Sequence, residues 1–328
     1  MGNFGVKVLG TGSYVPEKIL TNADLEKIVE TSDEWITQRT GIKERHIADE
    51  NTATSDVAAQ AAKKALADAN LSPEDIDLII TATVTPDMFF PSTACFIQKA
   101  IGAKNAVAFD VSAACTGFIY GLTIAKNFIE NGGARKVLVI GSETLSKFTD
   151  WKDRNTCVLF GDGAGAIVLG AAEGPSSILS TFLGADGGYW ELLYMPGCGS
   201  RNPASQKVLD ERLCYIKMSG KETFKVAVTK MSEAAEKAVE LAGLKFEDLA
   251  LLIPHQANMR IIEAIAKRAG FPMDKVWVNI HRYGNMSAAT TIVALDEARK
   301  AGKIKAGDIV ELVAFGGGFT WGAAVIKL

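Results

Sequence analysis

The sequence predicts an α/β protein built twice over, as an internally duplicated five-layer α-β-α-β-α sandwich. Three observations predict it. AKKALADANLSPEDIDLII from Ala62 and AEKAVELAGLKFEDLALLI from Ala235 align without a gap, each reading as amphipathic helix, turn and buried strand. The same offset of 173 residues carries Val137 in KVLVIG onto Val310 in DIVELVAF. The segments after Cys115 and after Ser287 both begin with small residues and lack charge for two or more turns, as a helix enclosed between two sheets must.

In each half, strands alternate with helices, which predicts crossover connections, parallel pairing and sheets covered on both faces. The Gly-Pro of AAEGPSS divides the chain into halves 1–173 and 174–328. A length of 328 residues, 48% of them hydrophobic and nine of them proline, describes a compact protein with a large core. A net charge of −3 without a run of like charges argues against nucleic-acid binding. The cysteines stand at 95, 115, 157, 198 and 214, an odd set with no CxxC pair, and MGNFGVKVLGTGSYVP does not read as a signal peptide. A reducing, cytoplasmic setting without disulfides or zinc is expected. The longest uncharged window, Val111 to Ala125, is too short to span a bilayer.

Within the first half, Cys115 ends the strand-like run from Ala106 and opens the uncharged helix-like run. The first turn of a helix offers unpaired N–H groups and the positive end of the macrodipole, which favour thiolate over thiol. On position alone Cys115 is either such a reactive thiol or a small buried hydrophobe. The repeat sets it opposite Ser287 or Ala288. Further along, GDGAGA from Gly161 lacks the spacing of a dinucleotide fingerprint and the lysine of a phosphate loop, so it reads as a tight turn into AIVLG.

The second half differs from the first where chemistry would sit. Pro254-His255-Gln256-Ala257-Asn258 ends the strand DLALLI, and Arg282-Tyr283-Gly284-Asn285-Met286 precedes the second uncharged helix. Packed about a pseudo-twofold axis, the carboxyl ends of the strands converge on one crevice, the usual ligand site of α/β sheets. Of the three histidines, His46 lies among charges and reads as surface, His281 as a supporting residue, and His255 as positioned at a strand end. Asn285 is either a helix N-cap or, with His255, a pair of N–H donors aimed at one developing oxyanion. Gly316, Gly317 and Gly318 either make a strained turn or let backbone approach a reacting group.

With those residues in view, TSDEWITQRTGI, FDVSAACTGF, FGDGAGA, PHQANMRI, RYGNMSAA and AFGGGFTWG resemble the motifs of the β-ketoacyl-acyl-carrier-protein synthase III family from end to end. The resemblance implies the thiolase fold, usually as a homodimer. It implies condensation of a short acyl-CoA, acetyl-CoA first among the candidates, with malonyl-acyl carrier protein, giving CO₂, CoA and a 3-oxoacyl-carrier protein. A related acyltransferase of polyketide or secondary metabolism is the alternative. A papain-like Cys, His and Asn set is set aside, because such proteases lack an α/β duplication.

By the same resemblance Cys115 carries the acyl group, His255 and Asn285 stabilise the enolate, and the N–H groups of Cys115 and Gly317 hold the thioester oxygen. Trp35 and Arg154 would flank the adenine of coenzyme A, with Thr31, Arg39 and Asn258 nearby; Trp35 is otherwise a core aromatic. Gln256, Ala257, Asn258, Met259 and Arg260 would meet the acidic carrier protein, and Lys267 is either on that face or simply solvated. Phe90 would reach a partner's acyl pocket. No metal or redox cofactor is called for, since the two thioesters are substrates. Met286, where the family more often has threonine, and the long polar stretch from Gly197 to Tyr215 are the departures, both expected to bear on pocket size.

Overall fold

A computed structural model describes residues 4–328. Nine strands make its two large sheets: β1 (Gly5–Tyr14), β2 (Leu78–Ala82), β3 (Val107–Val111), β4 (Lys136–Thr144), β5 (Asp162–Ala172), β6 (Ile178–Ala185), β7 (Leu251–Pro254), β8 (Ile309–Gly316) and β9 (Thr320–Lys327). The first sheet has the order β1-β5-β4-β2-β3 and the second β6-β9-β8-β7. Position by position these are one pattern, since the 173-residue offset that carries Ala62 onto Ala235 also carries Gly5, Leu78 and Lys136, the first residues of β1, β2 and β4, onto Ile178, Leu251 and Ile309, which open β6, β7 and β8. The counterpart of β3 has shrunk to a single parallel bridge between Leu252 and Val276.

Three apolar clusters account for the layering. One lies between the first sheet and the helices Thr54–Asp68 and Thr93–Ile101, and another covers the second sheet with Gly220–Leu241 and Met259–Arg268. Between the sheets, Phe118, Ile119 and Leu122 of the Gly117–Glu130 helix and Ile292, Leu295 and Ala298 of the Ala289–Lys300 helix meet Ile80, Val139, Ile253 and Leu312. The five-layer sandwich and its two enclosed helices are therefore as the sequence predicts. The second of these helices is buried over residues 289–296, so its first charge, Asp296, is taken by Thr11 Oγ1 (2.8 Å), Ser13 Oγ and Lys300 Nζ (2.7 Å).

Two expectations need correction. Pairing is parallel only for β2 with β3 and β4 and for β7 with β8, because β1, β5, β6 and β9 run antiparallel to their neighbours. The residues between Gly316 and Thr320 are too few for a crossover helix, so β8 and β9 form a hairpin. GDGAGA is no turn: Asp162 onward is β5 itself. Its glycines serve close packing, since a Cβ on Gly163 would lie 2.5 Å from Met286 Sδ and one on Gly165 2.5 Å from Ile292 Cγ2. The enclosed helix rests directly on that strand.

Candidate active site

Cys115 sits in a single 3-10 turn, Ala114–Thr116, just before the Gly117–Glu130 helix begins. The preceding residue, Ala114, has a left-handed backbone (φ 47°), and its counterpart 173 residues on, Ser287, has the same (φ 45°). Each enclosed helix is thus approached through the same sharp elbow, and Ala288 rather than Ser287 is the true counterpart of Cys115. Thr320 braces the first elbow, its Oγ1 donating to Ala113 O (2.9 Å) while its carbonyl accepts from Thr116 Oγ1 (3.2 Å).

A predominantly apolar cavity of about 340 Å³ opens over Cys115. Ser287, Gly317 and Thr320 form part of its wall, and Leu145, Phe148, Phe160, Leu193, Met195 and Ile216 supply its apolar side. Cys115 is buried, and that changes its expected ionisation. Burial pushes the thiol up to about 12, and the Glu143 carboxylate adds to the rise, against opposing hydrogen bonding from Ser287 and the Cys115 N–H. The resting group is a neutral thiol, not the thiolate that a helix start alone would favour.

His255 ends β7 and is buried, with its N–H on Val313 O (2.7 Å) and its Nδ1 2.6 Å from Thr290 Oγ1. Burial lowers its pKa to about 3, so the ring is neutral throughout the physiological range. Asn285 Oδ1 accepts from Ser287 N (2.8 Å), and its backbone is held by Leu159 O (2.8 Å) and Gly161 N (3.0 Å). Its side-chain oxygen therefore closes a local turn ahead of the helix, whose N-cap is Ala288 and not Asn285, and its NH₂ group has no acceptor among the described residues. One short segment, residues 285–290, ties together Asn285, the Ser287 elbow beside Cys115 and the Thr290 hydroxyl that holds His255.

The three-glycine turn contributes more than the sequence indicated. Gly317 lines the cavity as expected, but Gly316 makes the close approach: a Cβ there would lie 2.5 Å from Cys115 N. Sequence reasoning also passed over Glu143, Ser287 and Thr290. Only Ser287 carried a signal, as a residue opposite Cys115 in the repeat.

Away from the cavity, Ser32 caps the Asp33–Thr40 helix by accepting from Trp35 N (3.1 Å). That helix presents Trp35, half-buried, with Arg154 4.6 Å and Arg39 4.9 Å from the ring centroid on cation–π geometry. Asn258 caps the Met259–Arg268 helix through Arg260 N (2.9 Å) and donates to Arg39 O (3.0 Å), which joins it to the same group. Thr31 lies just ahead of the Asp33–Thr40 helix, its hydroxyl buried and without a partner among the described residues.

Gln256 does not belong to a docking face. It is buried, with Nε2 on Pro254 O (2.7 Å) and Trp277 O (3.1 Å) and Oε1 accepting from Asn279 N (3.0 Å) and Ile280 N (3.1 Å), so its whole amide is spent inside the protein. Ala257 and Met259 are half-buried, whereas Arg260 and Lys267 are exposed. Met286 turns away from the cavity into a small cluster with Ala289 and Val293, so it does not set pocket size. The stretch from Gly197 to Tyr215 holds the short helix Gln206–Asp210 and an Arg212–Asp150 ion pair; it flanks Met195 and Ile216, which do line the cavity. His281 is exposed, and His46 is half-buried against Tyr283 at 5.5 Å rather than free on the surface.

The profile for 3-oxoacyl-[acyl-carrier-protein] synthase III matches residues 109–187, and that for its C-terminal region matches residues 239–328. The beta-ketoacyl-[acyl-carrier-protein] synthase III of Caldanaerobacter subterraneus subsp. tengcongensis is 61% identical over 320 residues, 98% of this chain and 97% of that one. The chain belongs to the β-ketoacyl-acyl-carrier-protein synthase III family. Among solved structures, 3-oxoacyl-[acyl-carrier-protein] synthase III from Aquifex aeolicus superposes with a TM-score of 0.92 at 55% identity, covering 99% of this chain and 100% of that one. The synthase III of Thermus thermophilus gives 0.92 at 47% identity, with 98% of each chain covered. The fold is the thiolase fold of this family, and the chain is an acyltransferase of the first condensation of fatty-acid synthesis. Among the described residues no helix is long and apolar enough to cross a membrane.

Proposed function

We propose that Cys115 takes a short acyl group from an acyl-CoA and that the enolate of malonyl-acyl carrier protein then attacks it, giving CO₂ and a 3-oxoacyl-carrier protein. The observation that carries this reading is the placement of Cys115 at the floor of an apolar cavity, with Ser287 and Gly317 in the wall and His255 and Asn285 tied to the same segment. A thioester carbon suits a sulfur nucleophile, and acylation divides a hard step into two easier ones. Decarboxylation itself supplies the carbanion, so the reaction calls on no metal or redox group. His255 Nε2–H and the Asn285 amide would meet the enolate oxygen, each such donor contributing about 10²–10³ in rate. The N–H groups of Cys115 and Gly317 would meet the primer's carbonyl oxygen.

Trp35 and Arg154, which lie 4.6 Å apart from ring centroid to guanidinium, suit the adenine of coenzyme A, with Thr31, Arg39 and Asn258 nearby. Arg260, with Ala257, Asn258 and Met259, suits the acidic carrier protein. Phe89 and Phe90 are 75% and 83% exposed, and Val107 on the free edge of β3 is 65% exposed, which supports a homodimer formed along that edge. Phe90 would then reach across to the partner's cavity. Thioester substrates of this kind suit an enzyme of the cytoplasm.

The test is stepwise. Acetyl-CoA labelled in the acyl group is expected to label Cys115, and malonyl-acyl carrier protein to discharge that label as acetoacetyl-carrier protein. Free acetate as the main product would overturn the condensing reading.

A further inference from the structure

Deep beside the cavity lies a carboxylate that the reaction as described leaves unused. Glu143 is fully buried on β4 and no lysine or arginine is bonded to it among the described residues. Its carboxylate is held by neutral donors: Thr85 Oγ1 (2.6 Å), Thr83 Oγ1 (3.1 Å), and the N–H groups of Val84 (3.1 Å) and Thr85 (3.1 Å). Burial raises its pKa to about 7 against those hydrogen bonds, so it exchanges a proton near neutrality.

The Ser287 hydroxyl acts on both this carboxylate and the thiol, favouring the ionised form of each. It is buried in the cavity wall that also holds Cys115, and it has no hydrogen-bond partner of ordinary geometry among the described residues. The left-handed elbow and the bond from Ser287 N to Asn285 Oδ1 fix that side chain where it is. A buried hydroxyl without a partner costs stability unless something later uses it.

We propose that Ser287 passes the Cys115 thiol proton to Glu143 as the acyl group is transferred in. As the bond from Sγ to the acyl carbon forms, the S–H proton moves to Ser287 Oγ and the proton of that hydroxyl moves to a Glu143 oxygen. When the tetrahedral intermediate expels coenzyme A, the same path runs backward and the proton leaves on the departing sulfur. Glu143 is again a carboxylate, the released product is free CoA thiol, and no buried thiolate need persist at rest. In this step Ser287 meets the reacting sulfur, and Glu143 acts through it as a positioning residue. The proposal rests on Cys115 being the nucleophile.

The titratable groups around this path are few. Cys115 faces Glu143 from the Ala114–Thr116 turn. Asp162, next to Gly163, which pairs with Glu143 across β5, is taken up by Ser146 N (2.9 Å) and Ala48 N (2.8 Å). His255, held at Thr290, stays neutral. Glu143 is thus the group whose ionisation the acylation rate would follow near neutrality.

The experiment is single-turnover acylation by labelled acetyl-CoA from pH 5 to 9, with the label located by mass spectrometry, on wild type, Glu143→Gln, Glu143→Asp and Ser287→Ala. In the wild type the rate should rise with pH through about 7. In Glu143→Gln and Ser287→Ala that rise should vanish and the rate at pH 8 should fall roughly 10²-fold, the usual weight of a general base. Glu143→Asp should keep the rise and recover part of the rate. Ser287→Ala removes only a hydroxyl with no structural bond, so it decides the matter if Glu143→Gln does not fold. Rates within twofold of wild type with the rise intact in Ser287→Ala would overturn the relay. A wild type that carries no label on Cys115 would instead overturn the nucleophile assignment beneath it.

Discussion

Thr290 Oγ1 lies 2.6 Å from His255 Nδ1 and 3.0 Å from Ser287 O, and it has one proton for two acceptors. If that proton goes to Nδ1, the neutral ring must carry its own on Nε2, which is the tautomer an enolate oxygen requires. Thr290 then selects the state in which His255 can donate. Thr290→Val removes the selection at nearly constant volume, and condensation should slow by about 10-fold or more while acylation of Cys115 is kept. Separate measurement of the two half-reactions checks this; equal slowing of both would contradict it.

Gly316 presses its backbone against the nucleophile. In Gly316→Ala the new Cβ would fall 2.5 Å from Cys115 N and 3.0 Å from Ala114 Cβ, so the elbow must move. Overpacking of this kind costs about 1–3 kcal/mol, and the displaced N–H would no longer meet a thioester oxygen. Acylation should fall more than 10-fold and the melting temperature by a few degrees. Calorimetry with the labelling assay reads both, and unchanged acylation would show that the elbow tolerates the shift.

Two guanidinium groups lie over the Trp35 ring, those of Arg39 and Arg154. Trp35→Ala should raise the KM for acyl-CoA by roughly tenfold, about the loss of one stacking and cation–π site, and leave the maximal condensation rate near its wild-type value. Steady-state kinetics with acyl-CoA and carrier protein varied in turn distinguishes this from a general loss of folding, which would lower the rate at every concentration.

Stability should weaken in acid because of His255. Its folded pKa of about 3 lies below the ordinary 6.5, so on acidification the unfolded chain binds a proton that the folded one refuses. The stabilising contribution of the neutral ring is complete above about pH 6.5 and is lost progressively as pH falls toward 3. Glu143 acts in the opposite sense: with its folded pKa raised from 4.5 to about 7, the unfolded chain ionises first and stability declines as pH rises across that window. Denaturant midpoints should therefore vary little between pH 5 and 6.5 and fall below pH 4.5. A His255→Gln variant should lose most of the acid decline, and an unchanged profile would refute the assignment.

The sandwich was legible because both of its signals are periodic. The gap-free repeat from Ala62 and Ala235 fixes which helices and strands correspond, and two charge-free segments can only be enclosed. Cys115, His255 and Asn285 stood out because each is a chemically singular side chain at the end of a strand or the start of a helix. The antiparallel strands were hidden, since period-2 burial does not record direction and β8 and β9 turn on three residues. Glycines at 163 and 165 imitate a turn when only the near sequence is read; their cause, the Ile292 face of a helix more than a hundred residues away, is tertiary. Glu143, Ser287 and Thr290 were hidden for the same reason. A threonine or serine among small residues has no pattern of its own until folding sets it beside a thiol or an imidazole, and Gln256 looked available until its amide was seen to be fully occupied.

The matched elbows at Ala114 and Ser287 bear on descent. Two half-length chains joined about the internal axis would present one elbow twice, face to face, in a symmetric pair with no division of labour. At the elbows themselves the two copies now differ by a crossed pair of side chains: cysteine at 115 against alanine at 288, and alanine at 114 against serine at 287. The division of labour in the single active site is therefore written first at the elbows, where one copy holds the thiol and the other the hydroxyl beside it.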